Sequence, residues 1–106
     1  MDPELPDLTI ADVVVSTAGR DAGSLFYVLE ADDTYLLLAD GKGRRIEKPK
    51  RKKRKHTKKV LRSETRVAQK LRDGDKVLNS ELRRDLAYLK QQSNNLEVNE
   101  LWQKTT

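Results

Sequence analysis

The stretch VVVSTAGRDAG, Val13 to Gly23, with the apolar LFYVL of Leu25 to Leu29 close behind it, decides how the rest of the chain reads. Successive valines are stiff at the torsion nearest the backbone and favour an extended chain. Gly19 and Gly23 bracket a segment without a large apolar side chain. That marks a tight turn with two positions free to take positive φ. The return stretch is aromatic and branched, as strands are. The unit reads as a strand, a glycine-bearing turn and a second strand.

Outward from this unit, the polar Glu30 to Asp33 leads into a third strand, Thr34 to Ala39 (TYLLLA), and Asp40 to Gly43 makes the next turn. A fourth strand is expected over Arg44 to Glu47, around Ile46. Pro49 ends it, because proline lacks the N–H a strand ladder needs. The basic run that follows is expected to end near Thr57 in a short fifth edge strand. Short strands separated by turn signals predict a mainly β fold, a small barrel. Its core is expected from Val13, Val15, Leu25, Tyr27, Leu29, Leu36 and Leu38. Where apolar residues run consecutively, period-2 alternation leaves the face of each open. Upstream, Leu8 and Ile10 begin the β texture.

After Lys59 the texture turns helical. In SETRVAQKLRDG, Ser63 or Thr65 can cap the first amides and Gly74 can take the left-handed stop. Val67, Ala68 and Leu71 share one face. A second helix fits NSELRRDLAYLK, with Asn79 or Ser80 as cap and Leu82, Leu86 and Leu89 at i, i+4, i+7; Arg83, Arg84 and Asp85 point elsewhere. Neither helix is long enough to be stable alone, so the pair is expected to form a hairpin or to lie on the barrel. Tyr88, Leu101 and Trp102 are expected anchors of the tail. The organisation expected is an acidic disordered leader over 1–7, a barrel over 8–60 that includes the basic run 48–59, a helical extension over 61–92 and a polar tail over 93–106.

The charge is segregated along the chain. Residues 1–41 hold nine acids and one base, Arg20, for a net charge of −8, whereas residues 42–76 reach +13. The basic part peaks at KPKRKKRKHTKK, Lys48 to Lys59. Bases this dense repel one another, and a polyanion relieves the repulsion while releasing condensed counterions. No amphipathic apolar face accompanies the run, which argues against a membrane surface. Short Lys/Arg runs also serve as nuclear-localisation signals.

The strand, the GRDAG turn of Gly19 to Gly23 and the return strand resemble the KOW motif of large-subunit ribosomal proteins and of a class of transcription factors. With the continuation TYLLLADGKGRRIEKPKRKKRKH and the helical SETRVAQKLRDGDKVLNSELRRDL, the chain resembles bacterial KOW-domain RNA-binding proteins related to archaeal and eukaryal ribosomal proteins. The resemblance covers roughly residues 9–60 and implies an SH3-like barrel that binds RNA, often ribosomal RNA. The turn departs from the usual pattern: Ala22 takes a slot often held by lysine, and Arg20 is its single base. This shifts the expected RNA contact toward the Lys/Arg run.

The expected RNA-binding residues are Arg20, Lys42, Arg44, Arg45, Lys48, Lys50, Arg51, Lys52, Lys53, Arg54, Lys55, His56, Lys58 and Lys59, with Gly19 and Gly23 as structural turn residues. Arg44 and Arg45 offer planar forks to phosphate or guanine. The lysines supply sequence-independent attraction to the backbone. In an extended run side chains alternate, so about half would face one backbone. The acidic first third is expected to repel RNA from the opposite barrel face and so orient docking. Tyr27, Tyr35 and Phe26 read chiefly as barrel packing, because the run itself carries no aromatic residue.

Other chemistries find little here. The chain has no cysteine, and His56 is its one histidine, so neither disulfides nor zinc sites are expected. Asp32 and Asp33 are adjacent, and neighbours on an extended chain diverge, which suits no acid/base couple. The GKGRR segment lacks Walker spacing. No apolar run nears the roughly 18 residues that span a bilayer. The acidic start is the reverse of a signal peptide. A cytoplasmic, non-enzymatic protein without cofactor or small-molecule substrate is expected, with RNA as partner and ribosomal proteins as further candidates. Two rivals stay open: a protein-interaction module whose basic run is a polyanion tether, and a double-stranded DNA binder.

Overall fold

The hairpin read from the sequence is the centre of a five-stranded antiparallel sheet. Its strands β1, Asp12–Ser16, and β2, Leu25–Ala31, set Val13 opposite Tyr27, Val14 opposite Phe26 and Val15 opposite Leu25. Strand β3, Tyr35–Ala39, lies on the far side of β2; β4, Lys50–Lys53, pairs with β3; and β5, Thr57–Arg62, returns to β1. The order is β4-β3-β2-β1-β5, and among the described residues no pairing joins β4 to β5. A single 3-10 turn, Arg54–His56, runs between these two edge strands. It is tied by Arg54 N donating to Thr34 O (2.9 Å) and by Thr17 N donating to His56 O (2.9 Å). The computed structural model describes residues 8–94. The leader over 1–7, the tail beyond Asn94 and the anchors Leu101 and Trp102 lie outside them.

The fourth strand differs from expectation. Arg44 to Glu47 is not a strand; the ladder resumes at Lys50, just past Pro49, where proline is tolerated. The reason is local and long-range at once. Asp40 folds the segment into a turn, its Oδ1 accepting from Lys42 N and Arg44 N at 2.8 Å each. Ile46 is drawn toward the helices, with Ile46 N donating to Asn79 Oδ1 at 2.8 Å. The basic run is thus built into the sheet as β4, the 3-10 turn and the start of β5.

Both faces of the sheet are buried, which explains its consecutive apolar runs. One face gathers Leu8, Val14, Phe26, Val28, Leu36 and Leu38. The other sets Val13, Tyr27 and Ala39 against Ala68, Leu82, Leu86 and Leu89 of the helices. The core expected as one barrel interior is therefore divided: Leu36 and Leu38 belong to the first layer and Val13 and Tyr27 to the second. Leu25 and Leu29 are only partly buried against the second layer, and Val15 is likewise only partly buried. Register shifts between Val28 and Glu30 and between Val13 and Val14 mark bulges, which sharpen the sheet's bend.

Helix α1, Arg66–Asp73, is capped by Thr65, whose hydroxyl accepts from Ala68 N, and stops at Gly74 with φ +76. Helix α2, Asn79–Asn94, begins with the Glu81 carboxylate reaching back to Leu78 N at 2.9 Å. This is the reaching-back half of a capping box, and Asn79 is instead spent on Ile46 and Glu47. Both helices lie on the sheet. Asp85, expected to point elsewhere, accepts from the Tyr27 hydroxyl and from Thr65 Oγ1 (2.8 Å), with Ser63 Oγ 2.8 Å from the phenol. Burial, and then Asp85, push the Tyr27 phenol well above its ordinary pKa. Tyr88, expected as an anchor, is 54% exposed. Gly41 takes φ +80 and lies against the start of α2, where a Cβ would sit 2.2 Å from the Asn79 carbonyl oxygen.

Candidate nucleic-acid interface

Strand periodicity sorts the basic run into two sets. Lys50 and Lys52 stand opposite Leu38 and Leu36, so they share the face that buries those leucines. Both reach Asp21 in the glycine-bearing turn, at 3.3 Å from Lys50 Nζ and 2.8 Å from Lys52 Nζ. Lys52 also donates to Ala18 O at 2.7 Å and is 8% exposed. Ser16 Oγ donates to the same Asp21 oxygen as Lys52, at 2.8 Å. Burial alone would raise the Asp21 carboxyl, but hydrogen bonds from Lys52, Ser16 and Lys50 outweigh it and hold it well below the usual carboxylate range. Lys59 pairs with the fully buried Asp12 at 3.3 Å, and Thr9 N donates to the same carboxylate at 2.9 Å.

The alternate residues face out. Arg51 and Lys53 are exposed on the other side of β4, and the Arg51 guanidinium sits 3.7 Å over the Tyr35 ring. Lys48, Lys55 and Lys58 are exposed as well. None of these five bases forms an ion pair with a described acid. Arg54 is half-buried and donates to Asp32 O at 2.7 Å. His56 is half-buried, its carbonyl spent on Thr17 N. Asp32 shapes the hairpin: amides of Tyr35 and Thr34, at 2.7 and 2.8 Å, hold its carboxyl below the ordinary value, with Arg51 and Arg54 adding to the effect.

Lys53, Arg54, Lys55 and Lys59 line a groove of about 550 Å³ together with Leu8, Asp33, Thr34 and Thr57. Gly19 and Gly23 take φ +85 and +91, holding the turn that carries the exposed Arg20 and the inward Asp21. Arg44 and Arg45 are exposed on the β3–β4 connection, and Lys42 stands apart from the run beside α2.

Two sets of residues escaped the sequence reading. Asp12 and Asp21 are partners of the run, although they belong to the acidic third expected to stand away from it. A signal was present at Asp12, an acid beginning an otherwise valine strand, which must find a cation if buried. The other set is Arg83 and Lys90 of α2, which share a groove with Lys42; only the packing of α2 could place them. A scan against protein-family models finds no match to this chain, and a search of curated proteins finds no similar sequence.

Proposed function

We propose that this protein binds RNA without catalysing a reaction, acting in the cytoplasm on ribosomal RNA at the ribosome or during its assembly. One observation carries the reading: Lys48, Arg51, Lys53, Lys55 and Lys58 are exposed and none forms an ion pair with a described acid, Arg51 only adding a through-space attraction to Asp32. They stand next to bases that the fold neutralises internally. Surface cations without acids are what a phosphate backbone recruits. The KOW-like hairpin supports RNA over other polyanions. An SH3-like barrel is the finer fold we infer. It is supported by the meander β4-β3-β2-β1, by the return of β5 to β1 and by the 3-10 turn bridging the open side. Among the described residues no helix is long and apolar enough to cross a membrane.

Five contacted phosphates give a log–log salt slope of about −3.5 to −4.5, from single strand to duplex. Fluorescence anisotropy with short RNA across a salt series reads it, and a slope near zero removes the proposal. Ultraviolet crosslinking of the tagged protein in its cells then asks which RNA is bound. Sharp peaks on ribosomal RNA support the ribosomal role. Diffuse reads reduce it to a general polyanion tether and favour a protein partner. Equal affinity for DNA and RNA of the same length at matched salt would remove the preference for RNA.

A further inference from the structure

We propose that the groove between α2 and the glycine-bearing turn is a second nucleic-acid contact, gripping a phosphate backbone through Lys42, Arg83 and Lys90. The inference rests on the RNA-binding reading and extends it to a surface outside the basic run.

The groove has a volume of about 360 Å³. Gly23 and Leu25 form one wall, Lys42 stands on the neighbouring turn, and Arg83, Leu86 and Lys90 come from α2. Arg83 and Lys90 are seven residues apart, two turns along one helix face, which separates them by about 10 Å along the axis. Both are exposed, as is Lys42, and none forms an ion pair with a described acid. The acid in the groove wall, Asp40, spends Oδ1 on Lys42 N and Arg44 N. Three cations against one engaged carboxylate leave the groove net positive.

Its shape suits a backbone. A Cβ placed on Gly23 would meet nothing within 4 Å, so the turn side is open. Leu25, half-buried, and the exposed Ala87 offer apolar surface on which a ribose or base edge can rest. Shape and charge together select a strand carrying successive phosphates. The groove is also held in place: Gly41 abuts Asn79 and Asn79 bonds Ile46 and Glu47, which fixes the Lys42 turn against the start of α2. The backbone that carries the cations is therefore pre-positioned, and only the long side chains themselves must be ordered on binding.

The experiment compares two double variants of equal charge, Arg83→Ala/Lys90→Ala in the groove and Lys76→Ala/Arg84→Ala outside it, in binding to single-stranded oligouridylate over a salt series. All four residues are exposed, and circular dichroism checks that both variants fold. The groove variant is expected to lose roughly tenfold in affinity at moderate salt and to flatten the salt slope by about 1.4. The outside variant is expected to change affinity by less than threefold. Equal losses in the two variants would mean diffuse electrostatics and overturn the groove. Acetylation footprinting of the wild-type protein gives an independent reading: bound RNA protects Lys42 and Lys90 while Lys76 stays reactive. RNA binding without that protection overturns this inference alone; absence of wild-type binding overturns the RNA reading and the groove together.

Discussion

Lys52 and its strand neighbours Arg51 and Lys53 have the same formal charge and opposite surroundings. Lys52 faces the leucine-bearing side of the sheet, 8% exposed, and divides its ammonium between Asp21 and a carbonyl. Arg51 and Lys53 face outward, one lying over Tyr35 and both exposed. A run of like charge is thus two populations once it becomes a strand: one satisfies acids inside the fold, the other remains for a partner. The acidic third, expected to repel RNA from the opposite face, is itself divided. Asp12 and Asp21 touch the run and cancel part of it, so charge segregated in sequence is partly neutralised in space.

The sharpest way to break the comparison is to remove the inner charge. Lys52→Ala leaves Asp21 with Lys50 and Ser16 but without its closest cation, and is expected to destabilise the fold by about 1.5–3 kcal/mol, the contribution of a hydrogen bond to a charged group. Urea unfolding measures it. The double change Asp21→Asn/Lys52→Met, which removes both charges, is expected to recover much of the loss. The pH dependence has a definite sign. The folded Asp21 carboxyl is held below its unfolded value, so its contribution is fully present above about pH 4 and disappears only as pH falls through the depressed folded value. In Lys52→Ala the carboxyl titrates nearer its ordinary range, so acid unfolding begins at higher pH. A variant as stable and as acid-resistant as wild type would erase the distinction between inner and outer bases.

The outward set is expected to behave in reverse. Lys53→Ala/Lys58→Ala removes two exposed bases that make no ion pair with a described acid. Stability is expected to stay within about 0.5 kcal/mol of wild type. Affinity for single-stranded RNA at moderate salt is expected to fall roughly tenfold, with the salt slope flatter by about 1.4. Anisotropy titrations read the second effect and thermal unfolding the first. Loss of stability without loss of affinity would show that the two populations were assigned the wrong way round.

What could be read from the chain alone divides along the reach of the interactions. The hairpin around Gly19 and Gly23, the strands on either side of Asp32, the Thr65 cap and the Gly74 stop are set by contacts a few residues long, and the local residues reveal them. The stretch Arg44 to Glu47 misleads because its fate depends on Asn79, more than thirty residues away. Gly41 looks like any turn glycine until α2 is packed against it. The core was misassigned for a different reason: both sheet faces are buried, so Val13, Val14 and Val15 carry no alternation to read. The interface shares that weakness. Alternation foretells that half the run turns away, but which half depends on whether Lys52 or Lys53 shares a face with Leu36.

Tyr35 offers the smallest and most specific test. Its ring lies under the Arg51 guanidinium at 3.7 Å, on the face of β3 opposite Leu36 and Leu38. Such a contact at an exposed site contributes about 0.5–1 kcal/mol. Tyr35→Leu keeps an apolar strand residue and removes the ring's electrostatic attraction, so stability should fall by about that amount. Its effect on RNA separates two uses of the pair. If the ring only steers the guanidinium toward a phosphate, affinity should drop by less than threefold and the salt slope should not change, since the charge is still there. If a base stacks beside the pair, the loss should reach about 1–3 kcal/mol of binding and be larger for single strands than for duplex. The outward set would then read bases as well as phosphates, a role the inner set, closed around Asp21, cannot share.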